Sequence, residues 1–420
     1  MRTRPGNTLY WSIPIAAVIM AACSENPTQP AATAVPAPAN TAVHYWDALA
    51  TTRWNLRAAQ LFQQTSPTPP NGQAWASRTM TYLSLAQYRA AVAATAPANR
   101  SKRPSTTAAI ARASVDILSL FYTQTPGYSP PSTIPASLEQ MLTADQSSDR
   151  WPGEANTDAA LGDALGRQVA LAVWAQAQAD GYTAQATLTA FAAVQAARPV
   201  GAQYWVPSGS AVRSLWGVKA FFLEPDDFNL SPTPPNLAGL QSAAAEVQTL
   251  KTVGSAQELA AHLAIANLWN KTPPNGPFTA GEWNQKADSL IVAHHRTEIQ
   301  AARILALANI AGFDAQIDCF QAKYVHWVAR PAQVNNAITA AFATPNHPSY
   351  PSGHSCISGA FGAALAGAFP DDATTSWLES QVAEAGISRV YAGIHYMFDI
   401  AEGQAVGRRA AAKALAGRLE

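Results

Sequence analysis

Residues 347–361 read HPSYPSGHSCISGAF, a proline-containing loop that runs into the start of a helix. Ser352 is a good N-cap residue, and Gly353 lets a ligand approach the backbone closely. The unpaired N–H groups and the positive dipole end of the following helix point at the same place. His354 comes next, where it can give or take a proton. The stretch predicts an anion site with its own acid–base group. The simpler interpretation is a capped helix in which the histidine has no functional role.

Two cations precede this stretch. Residues 323–331 read KYVHWVARP, and the spacing of seven predicts that Lys323 and Arg330 lie on one helix face, two turns apart. Pro331 would then end the helix. An arginine fork and a lysine point charge can clamp an anion with several oxygens. Taken alone, the spacing favours an exposed basic face.

A third motif follows at residues 388–399, which read SRVYAGIHYMFD. Arg389 adds a third cation. Asp399 lies four residues after His395, which is about one helical turn. A carboxylate in that position can fix the imidazole tautomer and raise its basicity. The alternative for this motif is a surface ion pair.

The three motifs occur in the order KxxxxxxRP, PSGH and SRxxxxxHxxxD. This combination resembles the superfamily that joins vanadium haloperoxidases to type 2 phosphatidic acid phosphatases and bacterial acid phosphatases. The resemblance implies that three cations bind the equatorial oxygens of vanadate or phosphate: Lys323, Arg330 and Arg389. It also implies that the backbone amides of Ser352 and Gly353 are further donors.

The same resemblance assigns the proton-transfer and axial roles. It implies that His354 is the general acid/base and that Asp399 supports His395. His395 would coordinate vanadium in a peroxidase, or attack phosphorus in a phosphatase. Vanadate is then the cofactor, with no haem or flavin, and the partners are hydrogen peroxide, halide and small organic acceptors. Lys323 would polarise the bound peroxide, and vanadium would act as a Lewis acid.

The surrounding sequence favours the peroxidase over the phosphatase. Lipid phosphatases of this superfamily span the membrane several times, and the small acid phosphatases are much shorter. His347, in HPSYPSGH, resembles the bromoperoxidases, and Phe320 stands where chloroperoxidases have Trp. We therefore expect oxidation of bromide or iodide rather than chloride. The alternatives are a soluble acid phosphatase with a phosphohistidine intermediate and an inactive surface-binding lipoprotein.

The composition agrees with a large globular body. The chain has 420 residues, of which 48% are hydrophobic and only 13% are charged, about half the usual share. The formal net charge is zero, which gives no indication of a nucleic-acid partner or a polybasic membrane patch.

The N-terminus predicts export. Arg2 and Arg4 precede an apolar stretch, SIPIAAVIMAA (12–22), that is too short to span a bilayer. Cys23 then follows small residues, as in a bacterial lipobox, and a Pro/Ala-rich spacer comes next. We expect a signal peptide at 1–22, a lipidated Cys23 with its tether at 23–42, and one domain at 43–420 with its catalytic part at about 280–420. The protein would be a periplasmic or cell-surface lipoprotein that contacts the membrane only through this anchor. An ordinary signal peptide with a chance cysteine is the alternative.

Helical periodicity dominates from residue 43 onward, which predicts an all-α fold, a large helical bundle. The expected helices span 43–64, 75–94, 158–179, 184–197, 237–253, 256–269, 280–295, 298–326, 334–343, 352–369, 375–391 and 395–419, with an irregular aromatic-rich stretch at 204–235. Cys319 and Cys356 are either a disulfide or, more simply, two free buried thiols. His294, His295 and His326 are of a residue type that could bind a second metal. We expect these histidines instead to lie on helix surfaces or in the core.

Overall fold

Helices account for nearly all regular structure in the described part of the chain. The computed structural model describes residues 49–96, 103–131, 133–147, 154 and 157–419. Its fourteen α-helices are α1 (Leu49–Gln64), α2 (Gly72–Thr95), α3 (Thr106–Gln124), α4 (Thr133–Ser147), α5 (Ala159–Gln178), α6 (Gln185–Ala196), α7 (Leu237–Thr252), α8 (Ala256–Leu268), α9 (Phe278–Ala293), α10 (Glu298–His326), α11 (Pro331–Val334), α12 (Gly353–Ala368), α13 (Asp372–Tyr391) and α14 (Met397–Ala416). A 3-10 turn at Pro225–Asp227 and a parallel pairing of β1 (Arg103–Pro104) with β2 (Thr157–Asp158) complete the regular structure of these residues. The all-α prediction is confirmed.

Helices α1 to α5 enclose a core of alanines and large aromatic side chains. Trp75 of α2 lies at its centre, with ring centroids 5.0 Å from Phe62 and 5.1 Å from Tyr122, both edge-on. Trp54 of α1 is also fully buried. Because alanine side chains are short, the helices approach closely, and the aromatic rings fill the space that remains between them. The tryptophans of this half are packing residues.

Helix α10 is the central element of the C-terminal half. Helices α12 and α14 both pack along it, and most of its residues from Ala301 to Tyr324 are buried. A helix that is buried on all sides over this length lies inside the core rather than at the surface. The C-terminal end of α10 therefore lies deep in the bundle, and it carries Lys323.

Helices α12 and α14 touch backbone to backbone. A Cβ added at Gly407 of α14 would lie 2.4 Å from the nitrogen of Ala360 and from the oxygen of Cys356. Only a residue without a side chain permits this approach. The N–H of Ser352 also donates to the carbonyl of Asp399, at 3.0 Å. The beginnings of the two helices are thus held side by side.

A buried amide network ties the two halves together. The Asn55 side chain of α1 donates to Asn284 Oδ1 of α9 at 3.0 Å, and Asn284 and Asn309 of α10 exchange amide hydrogen bonds at 2.8 Å. Buried polar groups of this kind are stable only when they are paired. The network fixes α9 against α10 in a single register.

One predicted helix is wrong, and two helices besides the four-residue α11 were not predicted. Residues 334–343 form no helix beyond the four-residue α11. The N–H of Ala341 donates instead to the carbonyl of Ala392, at 2.9 Å. Tertiary contacts thus take up the backbone groups that a helix would use internally. Helices α3 and α4 are the two that the sequence pattern did not indicate. The remaining predicted helices agree within three residues where the structure describes them.

The predicted export signal lies outside the described residues. The signal peptide, Cys23, the tether and residues 43–48 of the opening helix all fall there. Export, lipid anchoring and the domain boundary therefore stay predictions. Among the described helices, none combines the length and the apolar character that crossing a membrane requires.

Candidate active site

The predicted site residues meet where four segments converge. These segments are the end of α10, the loop at 327–352, the start of α12 and the junction of α13 with α14. The residues concerned are Lys323, Arg330, His347, Ser352, Gly353, His354, Arg389, His395 and Asp399. Each segment comes from a different part of the bundle, so the site depends on the packing of the whole C-terminal half.

Lys323 lies in the last turn of α10 and is fully buried. Its ammonium group donates to the carbonyls of Pro348 and Ser349, both at 2.8 Å, and to that of Pro351. It therefore holds the loop that leads into α12. Burial, which disfavours the charged form, lowers the pKa of Lys323 to about 8, and the Arg330 charge acts in the same direction.

Arg330 is not on the same helix as Lys323, which corrects the predicted shared face. Helix α10 ends at His326 because Trp327 adopts a left-handed backbone conformation with φ 55°. Arg330 is instead the residue that caps α11. Its guanidinium still reaches the site and donates to His395 Nε2 and to His347 Nδ1, both at 3.0 Å. Burial lowers the pKa of Arg330 to about 10.

Arg389 lies in the last turn of α13 and is almost fully buried. It donates to the Ser388 hydroxyl and to the carbonyl of Ala266, both at 2.9 Å, and its guanidinium lies 5.1 Å from the Phe342 ring centroid. Burial lowers the pKa of Arg389 to about 9. The Arg389 charge also depresses the pKa of His354, which places the two groups in one electrostatic environment.

The positive charges of the site outnumber its negative charges. Lys323, Arg330 and Arg389 are only 0, 1 and 2% exposed. Among the described residues none of them forms an ion pair with a carboxylate, since Asp399 pairs with His395 instead. A buried charge without a counter-charge costs several kcal/mol, roughly, and the bonds to carbonyls recover only part of this. An anion with several oxygens would offset that cost.

His395 and Asp399 make the contact that their spacing predicts. His395 Nδ1 lies 2.8 Å from Asp399 Oδ2, although α14 begins only at Met397, so His395 precedes the helix. A carboxylate can only accept and a guanidinium can only donate. Nδ1 of His395 therefore carries the proton, and Nε2 presents its lone pair.

The electrostatic surroundings keep this imidazole neutral. Burial and the Arg330 charge lower the pKa of His395 well below 6.5. Burial also raises the pKa of Asp399 to about 6. Asp399 Oδ2 additionally accepts from the Ser349 hydroxyl at 2.6 Å and from the Tyr396 N–H at 3.1 Å. These bonds fix the orientation of the carboxylate, and through it the orientation of the His395 ring.

Ser352 caps α12 as the sequence predicts, but its amide is not available to a ligand. The Ser352 hydroxyl accepts from the Ser355 N–H, and the Ser352 N–H donates to Asp399. Within the described residues, the N–H groups of Gly353 and His354 have no hydrogen-bond acceptor. A Cβ added at Gly353 would meet no atom within 4 Å. The start of α12 thus offers two amide donors, and the Ser352 hydroxyl, beside open space.

His354 and His347 lie at the more open side of the site. His354 Nε2 is 3.1 Å from Thr279 Oγ1 and 3.2 Å from the carbonyl oxygen of Trp269. The His347 ring meets Phe320 edge-on, with centroids 4.9 Å apart, in addition to its bond with Arg330. Burial lowers the pKa of both imidazoles well below 6.5, so both are neutral at pH 7.

Sequence reasoning missed Thr279, Trp269 and Ser349. Thr279 and Trp269 lie far from the motifs along the chain, and nothing in a helical pattern marks them as neighbours of His354. Ser349 lies within the quoted HPSYPSGH stretch, so a hydroxyl beside the histidine pair could have been suspected there. Cys319 and Cys356 are free, buried thiols.

Comparison with known proteins concerns the family and the fold of the chain. The family model described as the PAP2 superfamily matches residues 299–416. A bacterial vanadium-dependent iodoperoxidase structure is similar with a TM-score of 0.67 and 20% identity, covering 90% of this chain and 97% of that one. The holo form of a bacterial vanadium-dependent chloroperoxidase has a TM-score of 0.61 and 12% identity, with 85% and 96% covered. The apo form of a bacterial vanadium-dependent chloroperoxidase has a TM-score of 0.59 and 12% identity, with 83% and 93% covered.

No curated protein sequence matches the chain at a significant level. The family match covers the segment that holds Lys323, Arg330, Arg389 and the three site histidines, and the structural match covers most of the described bundle. The model of the PAP2 superfamily thus matches the segment 299–416, and the chain has the fold of the vanadium-dependent peroxidase structures.

Proposed function

We propose that the protein is a vanadate-dependent haloperoxidase that oxidises halide with hydrogen peroxide to hypohalous acid. The observation that carries the proposal is the pairing of a neutral, carboxylate-supported His395 with three buried cations that lack carboxylate partners. Such a set provides one nitrogen lone pair and a strongly positive shell for a compact oxyanion. The likeness to iodide- and chloride-oxidising vanadium enzymes supports the same conclusion.

The residues present fit vanadate. Lys323, Arg330 and Arg389 would neutralise its charge, while the Gly353 amide and the Ser352 hydroxyl would donate to its oxygens. Nε2 of His395 would hold the vanadium, in place of its hydrogen bond from Arg330, since Nδ1 is committed to Asp399. The open space in front of Gly353 leaves room for an oxyanion beside the start of α12. When bound, vanadate supplies a Lewis-acid centre at which hydrogen peroxide is activated.

The chain's own groups would handle the protons and the halide. A neutral His354 can accept a proton from hydrogen peroxide and return it later. Lys323 contributes a fixed positive charge and holds the loop that presents Ser352. His347 and Phe320 line the more open side, where halide and an organic acceptor would approach.

Phosphatase activity is the second candidate, and one observation favours it. The His395 Nε2 lone pair is also what a phosphohistidine mechanism needs in a nucleophile. Phosphate and vanadate have the same charge and shape requirements, so the cation set does not separate them. The choice of a peroxidase depends on the likeness of the fold over most of the chain.

Loading the purified full-length chain with orthovanadate tests the proposal. We expect vanadate-dependent bromination of a dye, or triiodide formation, with hydrogen peroxide as oxidant. Calorimetric titration should give one vanadate per chain, independently of activity. Hydrolysis of p-nitrophenyl phosphate without halide oxidation would instead support the phosphatase. Absence of both activities, with vanadate bound, would support a binding lipoprotein.

His347 is expected to influence which halide is oxidised. In His347→Phe the imidazole is lost beside Arg330, but Arg330 keeps its bonds to the carbonyls of His347 and Ile394 and to His395. We expect the ratio of bromide to iodide turnover to change by about tenfold, equivalent to about 1.4 kcal/mol. Vanadate affinity, measured in the same variant, should change by less than about threefold. A larger loss of vanadate affinity than of halide discrimination would show that His347 serves the oxyanion instead.

Anion affinity is expected to fall as pH rises through the pKa of Lys323. Sulfate keeps its charge between pH 7 and 10, so its affinity reports on the protein alone. Lys323 has a pKa of about 8, so its attraction for sulfate should be complete at pH 7 and largely lost by pH 9. In Lys323→Met the affinity should be lower at pH 7 and the decrease centred on pH 8 should disappear, leaving the decrease at higher pH that comes from Arg389 and Arg330, whose pKa values are about 9 and 10. A wild-type affinity that stays constant through pH 8 would contradict the assignment.

The contribution of Lys323 to folding has the opposite sign. Its folded-state pKa lies below the ordinary value of 10.5, so the unfolded chain binds the proton more tightly. The buried charge therefore destabilises the anion-free fold below pH 8, and this cost is relieved as pH rises from about 8 towards 10.5. In thermal unfolding without anion, the relief of this cost should raise the unfolding temperature as pH increases from about 8 towards 10.5.

A further inference from the structure

The His354 ring is held by two neutral groups from outside the motif. Nε2 lies 3.1 Å from Thr279 Oγ1 in the first turn of α9 and 3.2 Å from the carbonyl oxygen of Trp269 at the end of α8. Thr279 and Trp269 are each 1% exposed, so water does not compete for these positions. Among the described residues, Nδ1 of His354 has no partner.

These two contacts determine which ring nitrogen carries the proton. A carbonyl oxygen can only accept, so a bond between Trp269 O and Nε2 requires an N–H at Nε2. The Thr279 oxygen can accept the same proton as a second acceptor. If the Thr279 hydroxyl instead donated to Nε2, the lone pair of Nε2 would face the lone pairs of the Trp269 carbonyl oxygen. A neutral imidazole has one N–H and one lone pair, so the lone pair is at Nδ1. The arrangement is the reverse of that in His395.

Both groups are themselves fixed. The Thr279 N–H donates to Gln73 Oε1 at 3.1 Å, and the Trp269 indole N–H donates to Glu384 Oε1 at 2.9 Å. Phe278, just before Thr279, has φ 60°, an unfavourable conformation for an aromatic residue that costs about 1–3 kcal/mol. The packing of α9 stabilises this conformation, and it places the Thr279 hydroxyl against His354.

We propose that Thr279 and the Trp269 carbonyl are positioning groups that hold His354 as the Nε2–H tautomer and leave Nδ1 as the base of the site. The inference rests on the proposed peroxidase function. In the step that follows, the Nδ1 lone pair forms a bond to a proton of hydrogen peroxide. The O–H bond breaks, its electron pair stays on the oxygen of the resulting hydroperoxide anion, and the proton is held at Nδ1 of His354.

The test compares ring tautomers and kinetics in matched variants of the full-length chain. Histidine side chains are labelled with ¹⁵N, and the His354 signals are assigned by their loss in His354→Asn. We expect wild type to show the Nε2–H tautomer for His354 and the Nδ1–H tautomer for His395. Thr279→Val should give a mixture of His354 tautomers. Its kcat should fall about tenfold, the loss expected for one hydrogen bond, while the KM for halide stays unchanged.

Two controls separate positioning from packing. Thr279→Ser keeps the hydroxyl and should restore the wild-type tautomer and kcat. Thr79→Val removes a hydroxyl that is equally buried but bonds within α2, to the carbonyl of Trp75, and should change neither property.

Either of two results would overturn the proposal. One is an Nδ1–H tautomer for His354 in wild type. The other is a Thr279→Val protein whose tautomer and kcat match those of Thr79→Val. The nitrogen spectra do not depend on halide oxidation. If the chain oxidises no halide, the proposed function fails while the spectra still decide the tautomer.

Discussion

Replacing His395 with alanine is expected to abolish vanadate-dependent halide oxidation and to weaken vanadate binding by more than about 100-fold. Changing groups that merely support a metal ligand already costs about 10–100-fold, and His395 would be the ligand itself. Its Nε2 is the one ring nitrogen that the Asp399 contact leaves with a lone pair at the cation cluster. Vanadate titration and a triiodide or dye-bromination assay give the two readings.

A matched histidine shows that the effect belongs to the site. His294 is about a third exposed and lies 3.8 Å from Asp371, on the far end of α9. His294→Ala should retain vanadate affinity and activity within about twofold, as expected for a surface substitution. If His395→Ala binds vanadate as tightly as wild type, the axial assignment is wrong, whatever the activity does.

Removal of the Arg389 charge should separate anion binding from folding. In Arg389→Met the buried guanidinium is replaced by an apolar side chain that fits the Phe342 contact. We expect vanadate and phosphate affinity to fall by roughly 100-fold or more, because charge-assisted bonds to a buried anion contribute about 3 kcal/mol or more. The unfolding temperature of the anion-free protein should stay the same or rise, because an uncompensated buried charge is removed.

Arg296 supplies the control for this substitution. It also donates to a carbonyl near a helix end, that of Ala368 at 3.1 Å, and it lies 5.1 Å from the Phe369 centroid. Arg296→Met therefore removes the same kind of contacts at a position outside the site, and anion affinity should be unchanged. A large drop in unfolding temperature for Arg389→Met, with normal anion affinity, would make Arg389 a structural residue.

Local spacing predicted those parts of the site that depend on one turn of chain. Asp399 reaches His395, and Ser352 caps α12, because both relations are set by residues within four positions of each other. The all-helical class also followed from the pattern of apolar residues. These features need no knowledge of how distant elements pack.

Relations that depend on distant packing were not predictable. The spacing of Lys323 and Arg330 suggested a common helix face, but the left-handed conformation of Trp327 ends the helix between them. Arg330 reaches the site through its bonds to the carbonyls of His347 and Ile394. Thr279 and Trp269 contact His354 only because α8, α9 and α12 assemble around it. No single-helix pattern contains that information.

The glycine contact between α12 and α14 has a consequence for how the site responds to disturbance. At Gly407 the two backbones leave no space for a side chain, and the Ser352 N–H bonds to the Asp399 carbonyl, so the start of each helix is a fixed reference point for the other. The amide donors at the start of α12 and His395, which precedes α14, then behave as parts of one rigid frame without a hinge. Loosening elsewhere, in α1 to α5 for example, can lower the melting temperature while the distances within this frame stay constant.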